Sequence, residues 1–179
     1  MTIIDKYLYN KKVRPNPYVK KMIDKHLTII NGRSIDIGCG DGRNSFYLKE
    51  KFNFTCDLFD PDENKVSLAK SIGLTNAITQ KAEFFNYDKN IYDVALYINS
   101  AMYLSLDNQI IILNKIINSL KAYDSLLIYS VMTNWHNSKR NVLEDEEVIS
   151  ILKINNFIMK DKNNFSQGNK KFTMMVFMR

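Results

Sequence analysis

The run Asp36-Ile37-Gly38-Cys39-Gly40-Asp41-Gly42 sets three glycines at alternate positions behind an acidic residue. Glycines so spaced let a backbone turn sharply and approach a ligand with no Cβ in the way. A carboxylate at position 36, buried at the end of a strand, must be satisfied by hydrogen bonds or a cationic partner. The spacing separates ligand classes. A dinucleotide site wants its third glycine three positions beyond the second; here it falls two beyond, and position 43 is arginine. No phosphate-cradling lysine follows, so the turn is not a P-loop. A nucleoside ligand without a pyrophosphate remains. Asp60 lies 18 residues past Gly42, where a carboxylate at a strand end accepts hydrogen bonds from both ribose hydroxyls. Alone, Asp60-Pro61 is an ordinary turn; beside the glycine run it reads as the second half of a nucleoside site.

The elements that must position these residues follow from periodicity and punctuation. Asn16-Pro17 reads as an N-cap followed by proline at the first helical position, and Val19, Met22, Ile23 and Leu27 recur at helical spacing, predicting a helix over 17–27. Ser34 to Ile37 reads as a short buried strand running into the glycine turn, and Arg43 to about Glu50 as the helix that leaves it. Strands are expected at Phe54–Phe59, Ala77–Thr79, Val94–Ile98, Ser125–Met132, Phe157–Lys160 and Phe172–Met178. Helices are expected over Glu63–Ser71, with Val66, Leu68 and Ala69 inside, and after a cap at Asp107, with Ile110, Leu113, Ile117 and Leu120 on one face. Another begins at Glu144–Glu147, whose charge suits the helix dipole, with Val148, Ile151 and Leu152 among its apolar positions. The last two strands have no helix between them and should pair as an antiparallel hairpin around an Asn/Lys/Gly turn at the sheet edge. Met174, Met175 and Met178 alternate with large apolar residues and read as sheet core. The alternation of strands and helices indicates an α/β doubly wound sheet, whose ligands sit at the carboxyl ends of the strands.

The chain of 179 residues fits one domain, 1–179, and can bury a core without staples. No apolar run approaches the roughly 20 residues needed to cross a bilayer, and the start of the chain lacks the pattern of a signal peptide. Cys39 and Cys56 have no metal-type spacing. A cytoplasmic protein with reduced thiols, no membrane partner and no metal is expected. Residues 1–33 hold eight basic side chains against Asp5 and Asp24, which accounts for the whole net charge of +6. A basic segment beside a neutral remainder could meet an anionic substrate, a nucleic acid or a cofactor carboxylate; the alternative is a solvated helix face.

On these residues the chain resembles the class I S-adenosylmethionine-dependent methyltransferases, with Asp36-x-Gly38-x-Gly40-x-Gly42 as first motif and Asp60 as second. The extension Gly40-Asp41-Gly42-Arg43-Asn44-Ser45-Phe46-Tyr47-Leu48 resembles the tellurite-resistance (TehB-like) and thiopurine methyltransferase-like branch. Arg14-Pro15-Asn16-Pro17-Tyr18-Val19 and Phe172-Thr173-Met174-Met175 resemble that branch near the chain ends. The resemblance implies a Rossmann-like fold with a seven-stranded, mostly parallel sheet, an antiparallel C-terminal hairpin and helices on both faces. It implies S-adenosylmethionine as cofactor and S-adenosylhomocysteine as product. Asp36 and the backbone at Gly38, Cys39 and Gly40 would hold the methionine end, with Arg43 and Asn44 lining the helix start. Asp60 would bind the ribose, and Pro61, Ala82 and Glu83 would flank the adenine. Asn99, with Ser100 beside it, would stand nearest the transferred methyl. Arg14 would reach the cofactor carboxylate from residues 1–31, a basic arm and helix covering the site. Members of the branch often carry an acid where this chain has Lys81. They also carry a longer, histidine-bearing loop where this chain has Asn163–Asn169, so chemistry specific to tellurite is not implied.

Methyl transfer from a sulfonium is an in-line displacement, and orientation supplies most of what it needs. A soft nucleophile requires no strong base; oxygen or nitrogen acceptors can require one. Tyr103, His136 and Tyr18 are the candidates, although a lone loop histidine such as His136 is more often a surface residue. The leading expectation is a small-molecule acceptor and a monomer or homodimer. The rivals are a tRNA or DNA methyltransferase and a cofactor-binding regulatory subunit without catalysis. Against the first, Ile98-Asn99-Ser100-Ala101 lacks the Asn/Asp-Pro-Pro-aromatic run that grips a flipped base.

Overall fold

The computed structural model describes residues 13–133 and 142–179. Its contacts divide into two compact units, Met1–Phe84 and Phe85–Arg179. In the first, α1 (Pro17–His26) precedes β1 (Arg33–Ile37), α2 (Arg43–Phe52), β2 (Thr55–Asp60), α3 (Glu63–Ser71), β3 (Ala77–Thr79) and a 3-10 turn at Ala82–Phe84. β2 lies between β1 and β3 and is parallel to both, with Asp36 opposite Leu58 and Ile37 opposite Phe59. Asp36 and Asp60 therefore end neighbouring strands on the same side. Ile35, Ile37, Leu58 and Phe59 of the strands are buried, as are Phe46, Leu48, Val66 and Ala69 of the helices.

The second unit holds β4 (Val94–Ile98), a 3-10 turn (Ala101–Tyr103), α4 (Leu106–Ser119), β5 (Leu126–Met132), α5 (Asp145–Ile154), β6 (Ile158–Gln167) and β7 (Lys170–Met178). β4 and β5 are parallel; β7 runs antiparallel between β5 and β6. The described residues thus supply the seven strands of the Rossmann-like α/β fold, with its C-terminal hairpin.

Four local expectations need correction. Leu68 is 57% exposed, not inside α3; only Val66 and Ala69 of that helix are buried. The cap of α4 is Ser105, whose hydroxyl accepts from Asn108 N–H at 3.3 Å, and Asp107 sits within the first turn. With that start, Ile112, Leu113, Ile116 and Ile117 face inward while Ile110 is exposed. The segment expected as the turn, Asn163–Asn169, is mostly strand, and Gly168 (φ 58°) and Asn169 alone connect β6 to β7. Polar composition hid this strand. Its pairing rests on cross-strand contacts: Thr173 donates to Asn164 at 2.9 Å, and the Phe165 and Phe172 rings stack with centroids 5.1 Å apart. Met174 and Met175 are fully buried in β7, whereas Met178 is half-buried.

Candidate functional site

The glycine turn is keyed to the neighbouring strand. The N–H groups of Gly38 and Cys39 both donate to the Phe59 carbonyl at 3.0 Å, and Gly42 N–H closes the turn on the Cys39 carbonyl at 3.0 Å. Gly40 (φ 57°) and Gly42 (φ 74°) occupy the left-handed region for different reasons. At Gly42 a Cβ would come within 2.6 Å of Leu74 Cδ1 and 3.0 Å of Ala69 Cβ, so this glycine lets α2 pack on the core. At Gly40 a Cβ would meet nothing within 4 Å. That backbone borders open space, which a ligand can approach.

Two buried carboxylates frame the turn. Asp60 accepts from Gly40 N–H through Oδ2 at 2.9 Å and from Asp62 N–H through Oδ1 at 3.0 Å. A carboxylate offers about four acceptor positions, so the two backbone bonds fix Asp60 and leave acceptor capacity for further hydroxyls. Asp36 is 2% exposed and accepts the Ser45 hydroxyl at 2.6 Å. Burial pushes its pKa up to about 7, against the lowering by Ser45 and with added repulsion from Asp60 and Asp41. Sequence reasoning required a partner for Asp36; the partner is Ser45, in the first turn of α2, which the spacing did not identify. Cys39 and Cys56 are buried free thiols, and burial pushes both well above the ordinary thiol range. Neither is poised as a nucleophile.

Around the start of α2 the side chains hold one another. Arg43 clamps Asp41 bidentately, Nε and Nη2 donating at 2.8 Å each, on an exposed surface. Asn44 Oδ1 accepts the Asn16 N–H at 2.9 Å. Asn16 Oδ1 in turn caps α1, accepting from Tyr18 N–H at 2.9 Å and Val19 N–H at 3.4 Å. Asp24 of α1 receives Lys51 Nζ at 2.7 Å and the Tyr47 hydroxyl, both from α2. Arg14 and Val13 share a cleft of about 270 Å³ with Asp41, Arg43, Leu68, Ser71 and Ile72. Thus Arg14 is brought beside the glycine turn, on the cleft that Asp41 and Arg43 line.

Pro61 is exposed behind Asp60, and Ala82 and Glu83 are half-buried on the 3-10 turn that ends the first unit. In the second unit, Asn99 follows β4 with φ 54°, its N–H donating to the Ser130 carbonyl at 2.7 Å and its Oδ1 accepting the Ser130 hydroxyl at 3.1 Å. Ser100 follows it, half-buried. Tyr103 is 72% exposed, and Tyr18 is half-buried on α1. His136 lies outside the described residues, as do residues 1–12 of the basic arm. Among the described residues no cluster of His, Cys, Asp and Glu could hold a metal, and no helix is long and apolar enough to cross a membrane.

A family model described as "Tellurite resistance protein TehB" matches residues 1–135. No curated protein matches the chain. Among solved structures, PH0226 from Pyrococcus horikoshii OT3 is 16% identical with a TM-score of 0.72, covering 99% of this chain and 93% of its own. The 1,6-didemethyltoxoflavin-N1-methyltransferase of Burkholderia thailandensis, bound to 1,6-didemethyltoxoflavin and S-adenosylhomocysteine, is 16% identical with a TM-score of 0.73, covering 91% and 77%. The [4+2]-cyclase SpnF is 12% identical with a TM-score of 0.73, covering 90% and 79%. At these identities the likeness speaks for the fold, and the cyclase shows that the fold alone does not dictate one reaction.

Proposed function

We propose, from the premise that this chain belongs to the TehB family of tellurite resistance proteins, that it transfers the methyl group of S-adenosylmethionine to a small-molecule acceptor. The chain is a methyltransferase; the acceptor class and the residue roles are the proposal. The observation that carries it is the pairing of an open, left-handed Gly40 with a fixed Asp60 carboxylate bonded to its N–H. That donor set suits an adenosyl ligand: backbone free of a Cβ for close approach, and carboxylate lone pairs for the ribose.

When bound, the cofactor supplies an electrophilic sulfonium methyl and needs no metal. Asp60 orients the ribose, while Pro61, Ala82 and Glu83 border the adenine. Asp36 receives the methionine ammonium, and a cation there offsets the burial that raises its pKa. Gly38, Cys39 and Gly40 line the approach with backbone, and Arg43, paired with Asp41, lines the helix start beside Asn44. Asn99 and Ser100 belong to the second unit, and their place near the methyl is carried over from the resemblance. The chain's main task is alignment and exclusion of water, for which orientation can supply roughly 7–11 kcal/mol. Tyr103, Tyr18 and His136 are the bases an oxygen or nitrogen acceptor would call on, and a thiol or chalcogenide would need none. Residues 1–179 are read as one methyltransferase domain of the cytoplasm.

The test is an acceptor screen that reports S-adenosylhomocysteine, covering thiols, chalcogen oxyanions, phenols, amines and tRNA. Turnover with a small molecule supports the proposal. Turnover with tRNA alone replaces it with the nucleic-acid reading, which the basic character of residues 1–33 favours. Cofactor binding with no turnover on any acceptor replaces it with a regulatory subunit.

A further inference from the structure

The Asn44 side chain stands in the first turn of the helix that leaves the glycine run, where the resemblance makes it a wall of the cofactor site. Its oxygen is committed elsewhere: Oδ1 accepts the Asn16 N–H at 2.9 Å, across 28 residues of sequence. Asn16 is itself fixed as the cap of α1 by the bonds from Tyr18 and Val19. Two residues before it, beyond Pro15, Arg14 lines the same cleft as Asp41 of the glycine turn. Pro15 has a fixed φ, so the path from Asn16 back to Arg14 is stiff. A second tie, from Asp24 to Lys51 and Tyr47, holds α1 against α2 farther along. The Asn16–Asn44 bond is the tie made to the first turn of α2, next to the glycine run.

We propose that Asn44 is a positioning residue, an acceptor that latches the N-terminal segment to α2 and so holds Arg14 beside the glycine turn. Resting on the reading that this turn binds S-adenosylmethionine, the latch makes cofactor affinity depend on Asn44 through Arg14. The part of Asn44 that matters is one oxygen lone pair, not its NH₂ group. A carboxylate keeps that lone pair, accepts from N–H more strongly, and is favoured by the dipole in the first turn of a helix. Ligation by the Asn44 NH₂ to the cofactor carboxylate predicts the reverse, because an acid at 44 would repel that carboxylate.

The experiment measures S-adenosylhomocysteine affinity by calorimetry for the full chain and for N44A, N44D, R14Q and N44A/R14Q, with amide exchange at Asn16 followed in parallel. The latch predicts affinity about 3- to 10-fold weaker in N44A, the worth of one net hydrogen bond, and recovery in N44D. It also predicts a double variant no weaker than the weaker single one, since both act through one contact. Exchange at Asn16 should quicken in N44A and slow again in N44D. Binding weaker in N44D than in N44A overturns the proposal in favour of direct ligation, and unchanged affinity in N44A overturns it outright. If the wild-type chain binds no S-adenosylhomocysteine, the cofactor reading fails, while the exchange rates still decide whether the latch exists.

Discussion

Gly40 and Gly42 occupy the same backbone region, yet substitution should separate them. Alanine at 42 meets Leu74 and Ala69 and adopts a disfavoured φ, which together should cost about 2–4 kcal/mol in denaturant unfolding. Alanine at 40 has room and carries only the backbone penalty of about 1–2 kcal/mol, but its methyl projects where a ligand approaches. Affinity for S-adenosylhomocysteine should fall about tenfold or more in Gly40→Ala, about 1.4 kcal/mol of binding. Asp36 gives a second residue-scale prediction. An acid whose folded pKa is raised to about 7 binds a proton in the native state that the unfolded chain has lost, so stability falls as pH rises from about 4 to 7 and levels above. Asp36→Asn should flatten that fall in melts taken across the range. Cofactor affinity should move the opposite way, rising through pH 7 as Asp36 ionises to meet an ammonium, and this slope should vanish in the same variant. Glycine spacing made the turn legible in the sequence. What it did not carry was the pairing of Asp36 with Ser45, which depends on how α2 lies over β1, and of Asn44 with Asn16, which depends on how the start of α1 meets α2.

At the scale of elements, the first helix was readable because Asn16-Pro17 punctuates its start; the helix expected from Glu63 is there, and its cap is Asp62. The start of α4 was misread because Ser105 and Asp107 are both good cap types, and the hydrophobic face only settles once the first residue is known. The β6–β7 hairpin was underestimated because long-range pairs such as Phe165–Phe172 have no local signature. At α5 the local signal was faithful. Glu147 accepts the Glu144 N–H at 2.8 Å, and Glu147→Ala should lower stability by about 0.5–2 kcal/mol, read as a shift in the urea midpoint without a change in slope. Cutting the hairpin stack with Phe172→Ala, a 6% exposed side chain, should cost about 3–5 kcal/mol by the same measurement.

For the whole molecule, the family match spans residues 1–135, so the reaction class rests on more than a seven-residue motif, while the fold match covers nearly the entire chain. The acceptor does not follow from either, because one fold serves methyltransferases and a cyclase alike. Charge is the one global property that points toward a polyanion, since residues 1–33 carry the whole net +6. Part of it is met locally: Arg33 pairs with Asp57, outside the segment, while Lys20 pairs with Asp24, which that net already includes. Retardation of tRNA on a gel should therefore be weak at physiological salt, without the steep salt dependence that many phosphate contacts produce. The central claim, that the turn between β1 and α2 with Asp60 beside it holds S-adenosylmethionine, is tested most directly by calorimetric titration of the wild-type chain and Asp60→Ala. One-site binding by the wild type, with affinity at least about tenfold lower in the variant and no heat from NADH with either, is the predicted result. Equal affinity of the two proteins for S-adenosylmethionine would contradict it.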